Sequence, residues 1–385
     1  MKYDVAIIGG GAAGLACAVR LCRSEKNLKI IIIEAADRLG KKLAATGNGQ
    51  GNVSNADMSA EHYFGGGARL AAKLCCGDPY AGAKLFDCLF TEDEKGRIYP
   101  AGRQASALTD CLMRGIKDRA DVLLLTKVTD ICRGFILALS DGRKVETERV
   151  VLCAGGKAQK QFKTDGSAYC LAEKFGHKVT PLYPSLVQLK TDTRYIKTLK
   201  GIRADCVASA IVGGKVVKSV RGDVIFTEYG VSGNAVFALS PYVTDKPGAE
   251  ISLEFLPDIS AGIIEENLSA RSKAGYDFKR LLSGNLHNVL GAAVVARAGS
   301  PEKIVKTLKN FTLPVSGTLG FDYAQVTRGG LDMNGVTDGL ESRFVKNLYF
   351  AGEILDVDGD CGGYNLQWAF TSGMAVADGI LKNYD

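Results

Sequence analysis

The chain has 385 residues, a formal net charge of +6 and 46% hydrophobic residues, a composition typical of globular proteins. These values exclude a disordered tail, a collagen-like fibre and a coiled coil. Lys and Arg form no block, so we expect no nucleic-acid partner, and no uncharged run reaches the ~18 residues of a membrane span. The eleven cysteines contain no CxxC pair and the three histidines lie far apart, which predicts reduced thiols in a cytoplasmic protein and no metal site.

Strand, helix and strand patterns follow one another at the start of the chain. Apolar, β-branched runs predict strands over residues 3–8 and 28–33, and apolar residues on one helical face predict a helix over residues 12–23. This order is a βαβ unit, which implies a parallel sheet.

The rest of the chain changes its pattern twice. Before the first change, the sequence predicts mainly helix over residues 79–119, a strand over 121–129, a hairpin of strands 134–139 and 144–152, and a helix over 168–175. Short strands are then predicted within residues 185–255, helices within 258–311 and a final helix over 366–381. An α/β domain interrupted by a long insertion explains this order.

A glycine-rich turn joins the first predicted strand to the first predicted helix. Gly9, Gly11 and Gly14 form the pattern GxGxxG in this turn. The first glycine permits the tight bend, the second lets a pyrophosphate approach the backbone, and the third lets the helix pack on the sheet. The helix N-terminus favours phosphate, and Glu34, after the second strand, is suited to accept both ribose hydroxyls. The motif predicts a dinucleotide and leaves NAD and FAD open.

Residues 34–55 resemble the continuation of this motif in FAD-binding proteins. They are similar to one family in particular, the bacterial HI0933-like flavoproteins, whose members carry a stretch like GKKLxxTGxGRCNxTN. Residues 40–43 and 46–49 match this stretch, as do Asn52 and Asn55. Residues 50 and 51 are Gln and Gly, where the family usually has Arg and Cys.

The resemblance continues to residue 379, and its most specific segment is FAGEILDVDGDCGGYNLQWAF at residues 350–370. Glu353 follows a predicted strand there, where a carboxylate can bind the ribityl hydroxyls of a flavin. Gly362 and Gly363 open the last predicted helix, and its N-terminus is suited to stabilise the negative charge of a reduced flavin. The segment therefore favours FAD over NAD.

The patterns and the resemblance together imply a Rossmann-like FAD-binding α/β domain, residues 1–156 and 320–385, interrupted by a β-rich domain, residues 157–257, and a helical subdomain, residues 258–319. They imply an FAD-dependent oxidoreductase that transfers hydride through flavin N5 to or from a small organic substrate, as a reductase with NAD(P)H as transient donor. A flavin oxidase of an amine such as aminoacetone and a flavin-dependent RNA-modifying protein are the alternatives. The oligomeric state does not follow from the sequence.

Two residues are candidates for the chemistry itself. Glu228 replaces the histidine of the family motif FTHxGxSGP, and it is suited to be a general acid if burial raises its pKa, or to anchor a cationic substrate if it stays ionised. Tyr364 lies beside the C-terminal flavin segment. The predicted cofactor residues are Gly9, Gly11, Ala12, Ala13, Gly14, Glu34, Ala35, Gly40, Lys41, Lys42, Thr46, Gly47, Asn48, Gly49, Val128, Ala154, Gly155, Gly352, Glu353, Asp356, Gly363, Asn365 and Leu366.

Overall fold

The computed structural model describes residues 2–384 and contains two compact units. Unit 1 consists of Met1–Tyr183 and Val326–Asp385, and unit 2 consists of Pro184–Gln325. Each unit has its own hydrophobic core. The chain therefore interrupts unit 1 once, as expected from the sequence.

The boundaries of the units differ from those expected. Residues 157–183 belong to unit 1, because Ala172 and its apolar neighbours are buried in the core of that unit. Residues 258–319 do not form a separate subdomain, because Leu308 shares one core with Phe226 of the β-rich part. Sequence patterns change where the type of secondary structure changes, and this need not coincide with the edge of a core.

The helices and strands have the following bounds. Before the insertion they are β1 Lys2–Ile8, α1 Ala12–Cys22, β2 Ile30–Ile33, β3 Ser54–Asn55, β4 Tyr63–Phe64, α2 Ala68–Cys75, β5 Phe90–Glu92, β6 Arg97–Pro100, α3 Ala105–Ile116, β7 Ala120–Leu123, β8 Val128–Cys132, β9 Ile136–Leu139, β10 Lys144–Leu152 and α4 Ser167–Glu173. From residue 183 to 325 they are β11 Tyr183–Ser185, β12 Leu189–Thr191, β13 Arg203–Val212, β14 Lys215–Phe226, β15 Gly230–Ser232, α5 Asn234–Val243, β16 Glu250–Phe255, α6 Ala261–Lys273, α7 Asn288–Ala298, α8 Ile304–Lys309 and β17 Phe311–Thr318. The last ones are β18 Val326–Arg328, β19 Leu348–Phe350, β20 Asp358–Gly359 and α9 Tyr364–Lys382.

The main sheet of unit 1 has the strand order β7-β2-β1-β10-β9-β8, and β19 also pairs with β10. Strands β7, β2, β1, β10 and β19 run parallel to their neighbours, whereas β9 and β8 form the antiparallel hairpin. Ile8 lies opposite Ile33 and Leu152, and Leu152 lies opposite Phe350. The carboxyl ends of four parallel strands therefore meet at one edge, where ligands bind in open α/β sheets.

Two predictions of secondary structure are wrong. Residues 121–129 form two strands rather than one, because the chain turns at Leu125 (φ +53°), and β7 and β8 lie at opposite ends of the sheet. Residues 79–119 are not mainly helical, since α3 is preceded by the strands β5 and β6 and by a short 3₁₀ turn at Gly82–Leu85. The alternation of small and apolar residues in that stretch fits either structure.

Unit 2 is built on a closed β-barrel with the strand order β12-β15-β14-β13-β16-β17. Its longest hairpin joins β13 to β14, and buried residues alternate with more exposed ones along β13. Residues of α6, α7 and α8 share the barrel's core cluster. The predicted β-rich and helical content of the insertion is thereby confirmed. Within residues 2–384, no helix combines the length and the apolar character needed to cross a bilayer.

Candidate functional site

In the turn between β1 and α1, two glycines pack closely against other parts of the chain, and the third leaves the backbone open to a ligand. A Cβ atom on Gly9 (φ +106°) would lie 2.6 Å from the Cα atom of Ala154, and one on Gly14 would lie 2.0 Å from the carbonyl oxygen of Gly9. A Cβ atom on Gly11 would meet no atom of the chain within 4 Å. The structure therefore leaves open space at the position where the sequence predicts a pyrophosphate.

The N-terminus of α1 faces this open space without a cap. Gly11 is the residue before the helix, and no side chain of residues 2–384 caps its first turn. An anion-binding site forms where uncapped N–H groups meet the positive end of a helix dipole. Here the N–H groups are those of Ala12 and Ala13. The first turn of α1 therefore fits the pyrophosphate of a dinucleotide.

Glu34 is held in a fixed orientation at the end of β2. Its Oε2 atom accepts a hydrogen bond of 2.7 Å from the backbone N–H of Gly10, and its Oε1 atom accepts one of 2.7 Å from Ala36. A carboxylate offers about four acceptor positions, so Glu34 can still accept from ribose hydroxyls. Ala35 is half-buried beside it. The backbone N–H of Thr126 donates to the Glu34 carbonyl over 3.0 Å. This bond places the start of β8 near the carboxyl end of β2. Val128, the first residue of β8, is buried.

The loop of residues 40–49 folds back onto the glycine turn. The backbone N–H of Gly40 donates to the carbonyl of Gly10 over 2.8 Å. The Thr46 hydroxyl donates to a backbone carbonyl within the loop, and Gly47 and Asn48 have φ angles of +56° and +54°. Such conformations are costly for Asn and are common where a loop must present its backbone to a ligand. Gly49 continues the left-handed run with a φ angle of +83°.

The two lysines of this loop have different partners. Lys41 pairs with Asp37 over 3.0 Å at the surface. The Nζ atom of Lys42 lies 2.8 Å from the Oε2 atom of Glu353, and both side chains are largely buried. Glu353 also accepts a 3.0 Å hydrogen bond from the backbone N–H of Thr327. The Lys42–Glu353 contact thus joins the loop to the C-terminal segment.

The C-terminal segment packs against α1 through Gly352. A Cβ atom on Gly352 (φ +75°) would lie 2.8 Å from the Cβ atom of Ala13. The backbone N–H of Gly352 donates to the Ser372 hydroxyl, and its carbonyl accepts from the Trp368 indole. Gly155 has a φ angle of +78° after β10. The glycine turn, the loop of residues 40–49 and the C-terminal segment therefore converge on one edge of unit 1.

The start of α9, like that of α1, has no side-chain cap within residues 2–384. Gly363 (φ +105°) precedes it, and no side chain of the described residues caps its first turn. A Cβ atom on Gly363 would lie 2.3 Å from the Ser54 carbonyl oxygen. The side-chain amide of Asn365 donates a 2.8 Å hydrogen bond to the Gly359 carbonyl and accepts one of 2.9 Å from the Gly359 N–H. It thereby stabilises the loop before the helix. Leu366, the next residue, is half-buried.

Asp356 is buried and holds a neighbouring loop. Its Oδ2 atom accepts a 2.9 Å hydrogen bond from the N–H of Gly66, and its carbonyl accepts one of 2.9 Å from Gly67. Burial raises the pKa of its carboxyl. In this structure Asp356 orders the segment before α2.

Tyr364 is buried at the start of α9 and stacks on His62. The ring centroids are 4.3 Å apart with an angle of 21° between the planes, and burial raises the pKa of the phenol. The His62 nitrogens lie 3.0 Å from Asp360 and 3.2 Å from Asp57, and the bond to Asp360 is the main cause that raises the pKa of the imidazole. His62, Asp57 and Glu61 also bring three ligand-type atoms within 4.8 Å of one another, but both imidazole nitrogens already face carboxylates. We assign no metal to this group.

Glu228 does not meet the conditions for a general acid. It lies in unit 2, its side chain is 70% exposed, and it pairs with Lys200 over 2.6 Å. The hydrogen bond from Lys200 lowers the pKa of the Glu228 carboxyl. Of the two states left open by the sequence, the structure favours the ionised one, because the residue forms a surface ion pair. All predicted cofactor residues lie in unit 1.

Thr327 has a role in the site that the sequence does not reveal. It is fully buried, and its hydroxyl accepts hydrogen bonds of 2.8 and 3.0 Å from the backbone N–H groups of Lys157 and Ala158. It thereby ties the segment after β10 to Glu353. The only signal in the sequence is that residues 326–330, VTRGG, resemble a VTxGG element of the HI0933-like family.

The comparisons with known proteins agree with this geometry. A model of the HI0933-like protein Rossmann domain matches residues 3–379. The chain is 33% identical to the 3-dehydro-bile acid delta(4,6)-reductase of Clostridium scindens, over 96% of this chain and 97% of that protein. It is 27% identical to the ribosomal RNA dihydrouridine synthase of Escherichia coli, over 99% of this chain and 98% of that protein.

A solved structure with the same fold is that of the open conformation of a flavocytochrome c3 fumarate reductase. The TM-score is 0.51 at 15% identity, and the match covers 100% of this chain and 79% of that chain. At this identity the likeness concerns the fold alone. It confirms the expected architecture of a Rossmann-like domain with an insertion.

Proposed function

The chain belongs to the HI0933-like family and is an FAD-dependent oxidoreductase, and from this premise we propose that it is a reductase of a carbon–carbon double bond conjugated to a carbonyl group. The proposed substrate is a small organic molecule, and the proposed electron donor is NAD(P)H. The eleven cysteines form no disulfide within the described residues, which supports a reducing, cytoplasmic location where this donor is available.

The observation that carries the proposal is the 2.8 Å contact between Lys42 and Glu353. The glycine turn and the acidic residue after the second strand hold only the adenosine and pyrophosphate part, which NAD and FAD share. Here the contact makes the C-terminal segment part of the same site. The site therefore extends to the half of the cofactor in which NAD and FAD differ, and there Glu353 is suited to accept from the ribityl hydroxyls that only FAD has.

Different groups of unit 1 bind different parts of FAD. When bound, FAD supplies hydride transfer. The first turn of α1 binds the pyrophosphate, Glu34 accepts from the ribose hydroxyls, and Glu353 accepts from the ribityl hydroxyls. The uncapped start of α9 favours negative charge close to it.

The reaction also needs a proton for the carbon or oxygen opposite the hydride. Of the two expected catalytic residues, Tyr364 carries its proton at neutral pH, as tyrosines ordinarily do, whereas Lys200 keeps Glu228 ionised. We therefore retain Tyr364 as the proton donor and do not retain Glu228 in this role.

The substrate class is inferred from what the relatives have in common. In a 3-dehydro bile acid, double bonds at positions 4 and 6 are conjugated to the 3-oxo group. The base double bond that is reduced to form dihydrouridine is also conjugated to a carbonyl. In each reduction a hydride adds to the end of the double bond far from the carbonyl, and a proton adds to the near end.

Anaerobic reduction followed by reoxidation tests this proposal. The purified protein is reduced with NADH or NADPH under anaerobic conditions, its visible spectrum is recorded, and 3-oxochol-4-en-24-oic acid is added. We expect one nicotinamide to bleach the flavin and the enone to restore the oxidised spectrum. The saturated 3-oxocholan-24-oic acid is the matched control and should leave the flavin reduced. Reduction by an amine such as aminoacetone, with reoxidation by oxygen alone, would contradict the proposal and support an oxidase.

Reduction of a base in RNA is the second candidate, favoured by the 27% identity over nearly the whole chain to the dihydrouridine synthase. The chemistry would be the same and the substrate larger. The higher identity to the bile-acid reductase favours the small molecule. Reoxidation of the reduced protein by a uridine-containing transcript but not by the enone would support RNA, as would RNA affinity that falls steeply with salt.

A further inference from the structure

The hydroxyl of Tyr169 is buried without a hydrogen bond. Tyr169 lies on α4 and is 4% exposed, and its hydroxyl oxygen has no partner within residues 2–384. A buried polar group without a partner costs about 1–3 kcal/mol. Phenylalanine would fill the same space without this cost. We therefore expect the hydroxyl to form a hydrogen bond with a molecule that is not part of the chain.

The surroundings of Tyr169 connect it to Glu353. The residue before α4, Gly166, donates a 3.1 Å backbone hydrogen bond to Gly156. A Cβ atom on Gly156 would lie 2.9 Å from the Oε1 atom of Glu353, and one on Gly166 would lie 3.5 Å from the ring of Tyr169. The α4 N-terminus is therefore fixed beside the carboxylate that is expected to bind the ribityl chain.

The charges around Tyr169 keep its hydroxyl protonated. Burial is the main cause that raises the pKa of the phenol, and the carboxyls of Glu353 and Asp356 add to it. The hydroxyl is therefore a hydrogen-bond donor at neutral pH. Both carboxyls belong to the predicted cofactor residues.

We propose that the Tyr169 hydroxyl donates a hydrogen bond to FAD bound on the Glu353 side of the site. The inference rests on the proposed function, since it requires that FAD binds in unit 1. It adds a binding residue that neither the glycine motif nor the C-terminal segment contains.

Tyr349 provides a matched control within the same unit. It is 1% exposed and its hydroxyl is likewise buried, with the side chain of Asn383 as its neighbouring hydrogen-bonding group. The polar groups around it are Glu341, Asn383 and Arg149, and none of them is a predicted cofactor residue. Removal of either hydroxyl therefore removes a similar buried group, but only one of the two lies near Glu353.

The test compares Tyr169→Phe with Tyr349→Phe in the full chain. FAD is removed, the melting temperature of each apoprotein is recorded, and the dissociation constant of FAD is measured by quenching of flavin fluorescence. We expect both apoproteins to melt at or above the wild-type temperature. The dissociation constant should rise roughly fivefold to tenfold in Tyr169→Phe and stay unchanged in Tyr349→Phe.

A second measurement does not depend on the variants. With 3-fluorotyrosine incorporated, the ¹⁹F resonance of residue 169 should shift on addition of FAD, whereas that of residue 349 should not. Equal FAD affinity in Tyr169→Phe and wild type, with no shift at residue 169, would overturn the inference and leave a buried water as the partner. If wild-type protein binds no FAD, the proposed function itself fails.

Discussion

The first turns of α1 and α9 are both uncapped by side chains of the described residues, yet they are built differently. The turn before α1 is fixed by glycines that pack against β10 and against the turn itself. The loop before α9 is held by Asn55, His62 and Tyr63, which lie 298 to 307 positions from the residues they contact. One helix start is thus set by a local motif, and the other by contacts between distant segments.

This difference decides what a substitution can do at each helix. Near α1, a Cβ atom added to Gly9 or Gly14 would collide with backbone atoms. Near α9, the loop is held by several side chains, each of which contributes a part. We therefore expect all-or-none effects at α1 and graded, pH-dependent effects at α9.

The largest effect is expected for Gly14→Ala. The new Cβ atom would lie 2.0 Å from the Gly9 carbonyl oxygen, and overpacking of this kind costs about 1–3 kcal/mol, occasionally more. The matched control is Gly11→Ala, whose Cβ atom meets nothing within 4 Å. Thermal unfolding of the apoproteins should show a large loss of stability for the first variant and a small one for the second, while FAD affinity falls in both. Equal stability of the two variants would contradict the account of α1.

Glu34→Arg should weaken FAD binding severely without unfolding the protein. The substitution removes an acceptor for the ribose hydroxyls and introduces a donor that cannot accept from them. The measurement is the flavin content after purification and the dissociation constant of added FAD, which should rise by roughly a hundredfold. Arg38→Gln, which removes an exposed charge in the adjacent loop, is the control and should retain most of the FAD. Unchanged occupancy in Glu34→Arg would show that Glu34 is not the ribose ligand.

His62→Gln tests the region of α9 through its pH dependence. The pKa of His62 is raised in the folded protein above its ordinary ~6.5. Its ion pairs therefore stabilise the fold fully below about pH 6.5, and this contribution is lost as pH rises through the raised pKa. Urea unfolding at pH 6 and pH 9 should show that the free energy of unfolding falls more in the wild type than in the variant. His287→Gln, which changes an exposed histidine, should keep the wild-type difference.

The smallest effect is expected for Glu228→Gln. The exposed ion pair with Lys200 lies in unit 2, outside both helix starts. Melting temperature, FAD affinity and turnover should stay at wild-type values, as they should in Lys200→Gln. A collapse of turnover with flavin reduction retained would restore the general-acid role of Glu228.

Local sequence predicted the parts of the site that depend on neighbouring residues. The strand, the glycine turn, α1 and Glu34 lie within the first 34 residues, and the structure places them at one sheet edge. The partners of Thr327 and Tyr364 could not be predicted, because their contacts join residues far apart in the chain. The direction of the Glu228 pKa shift could not be predicted, since it depends on Lys200 and on exposure, and neither is visible in the motif.

The cofactor released on denaturation tests the central claim most directly. Purified protein is denatured, the precipitate is removed, and the supernatant is separated by chromatography against FAD, FMN and NAD standards. The account predicts FAD, because α1 and Glu34 suit a dinucleotide, and the Lys42–Glu353 contact adds the C-terminal segment to the same site. Release of FMN, or of NAD without a flavin, would contradict it.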